Sequence, residues 1–327
     1  MKLFTRIVAA CTLLFAASAA QADPLPSWND TEARNSIITF VAAVSDPTSK
    51  DYVDPAARIA VFDNDGTLWS EQPVYFQLIF AIEQFAQMAS DNPDLITSPG
   101  LEAAAKGDMA GVLASGEETL LALLAQTHSG LSVDAFQDNV RAWLARARHP
   151  VTGLPYTQMT YQPMVELLTY LRAEGFKTYI VSGGGVHFMR VFAHAAYGIP
   201  NEQVIGSYSQ TSYQMVDGSP TIVMEAGPGF IDDKEGKPIN IERIIGKRPI
   251  FAAGNSDGDY PMIEWSTAGD GPRFGLIVHH TDDAREVAYD CESAIGQLCD
   301  GLTNGPEKGW LIVDMAKDWA RLYTGAR

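Results

Sequence analysis

Residues 58–67 read RIAVFDNDGT, an apolar run that ends abruptly in a polar turn. The first five residues have the length and apolar content of a strand buried in a parallel sheet, and Asp, Asn and Gly then supply turn residues. The same order recurs twice, because Thr178–Val181 precedes SGGG at 182–185 and Ile250–Ala253 precedes GNSDGD at 254–259. Ligands of open α/β sheets bind beyond the carboxyl ends of the strands, so this repetition predicts one site built from three turns.

The rest of the chain predicts an α/β fold with a Rossmann-like parallel sheet core. A fourth short apolar run lies at Phe274–Val278, and helical patterns such as Met164–Ala173 and Ile239–Ile245 alternate with the strands. Met215–Met224 carries an Asp-Gly pair between two runs of alternating polarity, which predicts a β-hairpin.

An all-helical insertion is predicted at residues 74–149, after the first strand. Apolar residues recur there at helical spacing, and no convincing strand interrupts them. Residues 23–73 and 150–327 then form the α/β core. The four helices predicted within the insertion are Val74–Met88, Leu101–Leu113, Glu117–Gln126 and Val133–Ala147.

Residues 1–22 have the features of a secretory signal peptide. Lys2 and Arg6 precede an apolar run, and AQA at 20–22 fits the small-residue pattern of a cleavage site. The run is too short for a membrane span, and the alternative interpretation is a buried N-terminal helix. We therefore expect a mature chain that starts at Asp23 and is periplasmic or secreted, with no membrane partner once the signal is removed.

Acidic residues dominate the composition. The formal net charge is −17, and loss of Lys2 and Arg6 with the signal makes it −19. A surface of this charge repels nucleic acid and anionic membranes, so neither is expected as a partner. A small anionic substrate remains compatible, because a bound metal ion reverses the field inside a pocket.

The three turns resemble the motifs of the haloacid dehalogenase-like hydrolase superfamily, and specifically its phosphatases of the phosphoserine-phosphatase type. Asp63 to Thr67 matches the first motif, Ser182 the second, Lys237 the lysine of the third, and residues 255–259 the fourth. The family places an acid directly after the glycine of the fourth motif, where this chain has an asparagine. It also places a helical cap between the first two motifs, where the insertion falls. The resemblance covers most of residues 57–290 and implies a phosphatase with Mg²⁺ as its cofactor.

Two carboxylates of the first motif carry the predicted reaction. A carboxylate attacks an anionic phosphomonoester only when charge is neutralised, which Mg²⁺ with oxygen ligands does. Asp63 is the predicted nucleophile and would form an aspartyl-phosphate. Asp65 would protonate the leaving oxygen and then activate water, although an ordinary Asx-turn is its alternative role. Dehalogenating members of the superfamily lack this second acid, so Asp65 favours phosphoryl chemistry.

The predicted Mg²⁺ ligands are Asp63, Asp65, Asn255, Asp257 and Asp259, with the backbone carbonyl of Asp65 included because the resemblance implies it. Asn255 offers an amide oxygen but no charge, so Asp257 or Asp259 would supply the missing charge directly or through water. The alternative is an acidic calcium-type loop, but the spacing and terminal glutamate of an EF-hand are lacking.

Phosphate is expected to bind Ser182, Gly183 and Lys237. The Ser182 hydroxyl would donate to a phosphate oxygen, and the glycines let backbone N–H groups approach the anion at the start of a helix. A plain helix N-cap is the alternative role of Ser182. Lys237 would offset the charge of the nucleophile and the phosphate, and its rivals are Lys234 in an acidic run and Lys247 before the next strand.

Together these residues predict an Mg²⁺-dependent phosphomonoester hydrolase that acts on a small phosphorylated metabolite. A phosphotransferase or mutase on the same fold is one alternative, since it would use the same two aspartates. A non-enzymatic binding protein with a decayed site is the other, and Asn255 is the residue that suggests it.

Cys291 and Cys299 remain when Cys11 leaves with the signal, and we expect them to form a disulfide in an oxidising compartment. Residues 282–298 also read as a single helix, in which the two Cα atoms would lie about 12 Å apart. A disulfide requires less than about 7 Å. The bridge therefore needs a break in the helix, for which Gly296 is the candidate.

Overall fold

The computed structural model describes residues 23–325, so the predicted signal peptide at 1–22 lies outside the described part of the chain. One sheet holds seven strands: β1 (Ile59–Phe62), β2 (Lys177–Gly185), β3 (Val204–Val216), β4 (Ser219–Phe230), β5 (Phe251–Gly254), β6 (Phe274–His279) and β7 (Leu311–Asp314). Their spatial order is β4-β3-β2-β1-β5-β6-β7. Neighbouring strands are parallel except for the antiparallel pair of β3 and β4. The predicted α/β class with a parallel sheet is confirmed.

The central strand β1 is buried on both faces. Val61 pairs in register with Tyr179 of β2 on one side and with Ala252 of β5 on the other. Every residue of β1 and β5 is buried, which explains why both read as unbroken apolar runs. All four strands predicted for the core are confirmed. Strand β7 was not predicted from the sequence.

Helices cover both faces of the sheet. Phe62 faces a large apolar core shared with the first and seventh helices, and Val61 faces a second core shared with the tenth and eleventh. None of the helices between residues 23 and 325 is long and apolar enough to cross a membrane. The helices are α1 (Glu32–Ser45), α2 (Phe76–Asp91), α3 (Pro99–Ala105), α4 (Met109–Ala114), α5 (Glu117–His128), α6 (Val133–Arg146), α7 (Gln162–Ala173), α8 (Val186–Met189), α9 (Ala193–Tyr197), α10 (Gly236–Ile245), α11 (Tyr260–Thr267), α12 (Asp300–Asn304) and α13 (Met315–Asp318).

The segment between β1 and β2 is helical from α2 to α6, as the pattern predicts. Its core is aromatic, since Phe80 packs edge-on against Trp143 and Phe136 with ring centroids 5.5 and 5.8 Å apart. The single helix predicted at Leu101–Leu113 is wrong, because α3 and α4 are separate helices. Gly107 lies between them with φ +71°, a conformation that breaks a helix and costs glycine little.

The hairpin of β3 and β4 is longer than the Met215–Met224 prediction. Its turn is the predicted Asp-Gly pair, with φ +49° at Asp217 and +80° at Gly218, as two-residue hairpin turns require. Strand β4 also forms backbone hydrogen bonds with the residues that follow α5. The Gly130 N–H donates to the Met224 carbonyl at 2.8 Å, and the Met224 N–H donates to the Leu131 carbonyl at 2.9 Å.

The predicted disulfide joins Cys291 to Cys299, whose Cα atoms lie 4.8 Å apart. Residues 282–298 form no helix in the structure, so the alternative interpretation of that segment is wrong. Gly296 has φ +63°, which turns the chain back within the bridged loop.

Candidate active site

The turns after β1, β2 and β5 meet at one edge of the sheet, as their sequence pattern predicts. They border a cavity of about 400 Å³. Parallel strands bring their carboxyl ends to the same edge, so residues more than 100 positions apart become neighbours there. Six predicted or adjacent residues line the cavity together: Asp63, Asp65, Ser182, Gly183, Lys237 and Ser256.

The predicted nucleophile Asp63 and the predicted phosphate-binding Lys237 form a buried ion pair. Lys237 lies in the first turn of α10 and its Nζ reaches Oδ1 of Asp63 at 2.7 Å and Oδ1 of Asp259 at 2.5 Å. Its rivals lie elsewhere, since Lys234 is exposed and Lys247 donates to the carbonyl of Ala56 before β1 begins. The structure therefore brings Lys237, and neither rival, to Asp63.

Burial sets the charge balance of this pair. Loss of solvent, reinforced by the nearby Asp259 carboxylate, raises the pKa of Asp63, while Lys237 opposes that rise. For Lys237, burial disfavours the cation, but Asp259 and Asp63 outweigh this effect and raise its pKa. The two carboxylates therefore favour the cationic form of Lys237, and Lys237 in turn favours the ionised form of Asp63.

Asp65 lies beside the glycine turn. The Trp69 indole N–H donates to its Oδ1 at 2.8 Å. A side chain added at Gly184 would put its Cβ 3.4 Å from the Asp65 Oδ2. Burial raises the pKa of Asp65 above its ordinary value. One oxygen is thus held in place, and the other faces the turn where a phosphate ester would lie.

The glycine turn leads directly into a helix, as expected from the sequence. β2 extends through Gly185, which is the N-cap residue of α8. Ser182 is therefore a buried strand residue and not a helix N-cap, and its Oγ accepts from the Gly184 N–H at 3.1 Å. Gly185 donates to Oε1 of Gln77 at 2.6 Å.

In the fourth motif the carboxylates of Asp257 and Asp259 are occupied by the protein itself. The Asp257 oxygens accept from the N–H groups of residues 299, 300 and 301 at 2.8–3.1 Å. In Asp259, Oδ1 pairs with Lys237, and Oδ2 accepts from the N–H groups of Asn255 and Ser256 at 2.9 and 3.1 Å. These bonds hold both carboxylates in place, and the assignment of Asp257 and Asp259 as metal ligands stays a prediction.

Asn255 has a different acidic neighbour, Glu71, which the sequence pattern does not single out. The Asn255 amide donates to Oε1 of Glu71 at 2.8 Å, and its Oδ1 accepts from the Thr67 hydroxyl at 3.0 Å. The Tyr289 hydroxyl donates to the same Glu71 oxygen at 2.6 Å. Burial, with Asp65 and Asp63 nearby, raises the pKa of Glu71 to about 8 against the hydrogen bond from Tyr289.

Gly66 is needed where these groups crowd the first motif. It has φ +72°, and a Cβ there would lie 2.1 Å from the Asn255 amide nitrogen and 2.6 Å from Oε1 of Glu71. Its carbonyl is held by the ring of His280, whose Nε2 lies 2.8 Å away. Nδ1 of His280 lies 3.0 Å from Oε2 of Glu286. A buried His–Glu pair therefore holds the turn that follows β1. No sequence signal marks His280 or Glu286, because neither lies in a motif.

The residues at this edge fit a hard divalent cation. Asp63 and Asp65 line the cavity with oxygen donors, and Glu71 adds a buried carboxyl group that contacts the Asn255 amide. Such a surplus of buried oxygen and negative charge suits Mg²⁺. Within residues 23–325 no group of three or more His, Cys, Asp or Glu side chains forms a ready-made metal cage. Mg²⁺ commonly keeps waters and takes phosphate oxygens in place of such a cage.

The fold is similar to that of a solved structure. A conserved functionally unknown protein from Anaerococcus prevotii DSM 20548 is similar over 89% of this chain and 94% of its own, with 16% identity and a TM-score of 0.57. A phosphoserine phosphohydrolase-like protein from Francisella tularensis subsp. tularensis SCHU S4 covers 76% of this chain and 98% of its own, with 17% identity and a TM-score of 0.41. No curated protein sequence matches this chain.

A family model gives the stronger comparison, because it matches residues 60–264 and so includes all three turns and Lys237. That span is more than half of the chain, and the residues it covers carry the ion pair, the glycine turn and the buried acids of the cavity. The chain belongs to the haloacid dehalogenase-like hydrolase family.

Proposed function

We propose that this protein is an Mg²⁺-dependent phosphatase that hydrolyses small phosphomonoesters through an aspartyl-phosphate on Asp63. The observation that carries the proposal is the buried Asp63–Lys237 ion pair at the carboxyl end of β1, facing a cavity shared with Asp65 and Ser182. A cationic lysine beside a buried carboxylate is the electrostatic arrangement that an attack on an anionic ester needs. Family membership supports the same chemistry.

In the first step, Asp63 attacks phosphorus and the ester bond to the leaving oxygen breaks. Asp65 donates a proton to that oxygen, so the product leaves as a neutral alcohol. In the second step, Asp65 takes a proton from water, which attacks the phosphorus and releases phosphate from Asp63. Lys237 offsets the negative charge of Asp63 and of the phosphoryl group in both steps.

Asp63, the backbone carbonyl of Asp65 and Asn255 would hold the Mg²⁺. When bound, it neutralises the charge of the phosphate and orients it for in-line attack. Glu71 supports this site through its hydrogen bond to the Asn255 amide, which turns the Asn255 oxygen away from Glu71. It also places an acidic group beside the asparagine that stands where the family has an acid.

The helical segment at 74–149 acts as the cap that covers the leaving group in this proposal, with 23–73 and 150–327 as the core. Leu78 of α2, Leu124 of α5 and Phe136 of α6 line the cavity beside the core residues, which supports this role. Cleavage after residue 22 would send the mature chain to the periplasm or the exterior, where the Cys291–Cys299 disulfide would persist.

The deciding experiment uses the mature chain from Asp23 with 4-nitrophenyl phosphate and Mg²⁺. We expect turnover in the wild type and none above background in Asp63→Asn. Asp138→Asn, an exposed residue of α6, is the matched control and should retain full activity. Acid-quenched wild type should carry a phosphoryl group on the peptide that contains Asp63. Retained turnover in Asp63→Asn would refute the mechanism.

A further inference from the structure

The cavity continues from the catalytic residues into an apolar wall. Leu78 and Phe136 are buried there, and Leu120 and Leu124 project from one face of α5. Met224 of β4 closes the opposite side. The phosphate end of the cavity is therefore polar, and the end that would receive the leaving group is hydrocarbon.

This wall belongs to two separate parts of the chain that are joined by backbone hydrogen bonds. Gly130 and Leu131, just after α5, exchange two such bonds with Met224. Ser132 extends the contact as a bridge to Val223. The hairpin and the helical segment are therefore joined directly where both border the apolar end of the cavity.

The wall offers no cation for a second anionic group. Lys237 is the one Lys or Arg among the described residues lining the cavity, and Asp63 and Asp259 already engage it. Asp233 and Glu71 add acidic groups to the lining. His128 brings no charge at neutral pH, since burial lowers its pKa to about 4 against the hydrogen bond between its Nδ1 and the Leu124 carbonyl, 2.7 Å away.

We propose that the cavity selects phosphomonoesters of bulky, uncharged and predominantly apolar alcohols. The inference rests on the proposed phosphatase function and adds the class of its substrate. A volume of about 400 Å³ falls in the range of small-molecule sites. A small polar leaving group would leave the apolar wall of the cavity exposed to water. An anionic leaving group would lie near carboxylates with no free cation to balance its charge.

Three esters with the same kind of leaving oxygen test the proposal: ethyl phosphate, 2-phenylethyl phosphate and 2-(2-naphthyl)ethyl phosphate. All three release a primary alcohol, so differences in rate report the cavity and not the leaving-group pKa. We expect kcat/KM to rise by about tenfold or more from the ethyl to the naphthylethyl ester, since burial of apolar area is favourable. The kcat/KM of the 4-carboxyphenylethyl ester should be lower than that of the uncharged 2-phenylethyl ester. Equal values across the series, or a preference for the carboxylate, would overturn the proposal.

Two substitutions at one position locate the effect. Leu124→Trp fills the apolar end, and Leu124→Asn makes it polar with a side chain of the same branched shape, so both should erase most of the advantage of the naphthylethyl ester over the ethyl ester. Glu118→Trp, on the exposed side of α5, is the matched control and should keep that advantage. If Leu124→Trp does not fold, Leu124→Asn decides alone.

Binding of the free alcohol separates this proposal from the proposed function. We expect 2-(2-naphthyl)ethanol to bind the wild type in calorimetry, and Leu124→Asn to weaken that binding by about tenfold. Absence of turnover with every ester would refute the proposed phosphatase activity. Binding of the free alcohol would then still test whether the cavity accepts apolar groups. Turnover of all esters without alcohol binding or size preference would refute the apolar compartment alone.

Discussion

Nζ of Lys237 lies 2.7 Å from Oδ1 of Asp63, although 174 positions separate the two residues in the chain. Both side chains are buried, and the same lysine reaches Asp259. One cation therefore balances two carboxylates, and the loop after β5 is linked to the nucleophile through it.

Loss of that cation should affect both stability and turnover. In Lys237→Met the buried Asp63 and Asp259 carboxylates keep their positions without a counter-charge, which costs about 3–5 kcal/mol in the free energy of unfolding. We expect kcat to fall about 100-fold or more, because the charge of the attacking group is no longer offset. Urea denaturation and steady-state kinetics measure the two effects. Lys234→Met, an exposed residue three positions away, should match the wild type, and equal behaviour of the two variants would contradict the role of Lys237.

Glu71 should matter more than Asp257 for Mg²⁺. EDTA should abolish turnover and added Mg²⁺ should restore it. In Glu71→Gln we expect the Mg²⁺ concentration for half-maximal rate to rise about tenfold, since an outer partner of a ligand typically contributes that much. The rise in thermal midpoint that Mg²⁺ produces gives a readout independent of activity, and it should shrink in the same variant. Asp257→Asn should need nearly the wild-type Mg²⁺ concentration, because its oxygens accept from residues 299–301. The reverse ranking would identify Asp257 as the metal residue.

Reduction of the Cys291–Cys299 disulfide should lower the free energy of unfolding by about 2–3 kcal/mol, since the bridge closes a short loop. Neither sulfur lines the cavity, so turnover at ambient temperature should fall much less than stability. Thermal unfolding with and without reductant measures the effect, and the double variant with Cys291→Ser and Cys299→Ser should not respond to reductant. A native mass that shows two alkylatable thiols would contradict the bond.

His128 should make the protein sensitive to acid. Burial lowers its pKa from the ordinary 6.5 to about 4 in the folded state, so the unfolded chain binds the proton first. The stability that comes from the neutral ring is complete above pH 6.5 and is lost as the pH falls towards 4. The whole shift corresponds to about 3 kcal/mol. The variant His128→Phe keeps an aromatic ring beside Phe136. Relative to this variant, the free energy of unfolding of the wild type in urea should fall by about 3 kcal/mol between pH 7 and pH 4. Parallel pH profiles of the two proteins would contradict this assignment.

Local sequence was sufficient for the strands that carry the site and for the turns that end them. Buried parallel strands must be apolar on both faces, so β1, β5 and β6 stand out as short unbroken runs. The Asp-Gly pair at 217–218 likewise marks the hairpin turn, because both positions need positive φ. Other features were missed where local pattern is ambiguous. Gly107 splits one predicted helix into α3 and α4, and β7, an apolar run as short as β1, was not predicted.

The chemical groups available at this site can be read from the sequence: two aspartates after the first strand, a serine and glycines after the second, and an asparagine where the family has an acid. Residue type and strand order suffice for that, because parallel strands end at a common edge. Which charged groups meet depends on the folded structure. It pairs Lys237 with Asp63, engages Asp257 with backbone N–H groups, and brings Glu71 to Asn255 across 184 positions. Electrostatic and hydrogen-bond partners depend on distances of a few ångströms after the chain has folded, and no local pattern in the sequence encodes those distances.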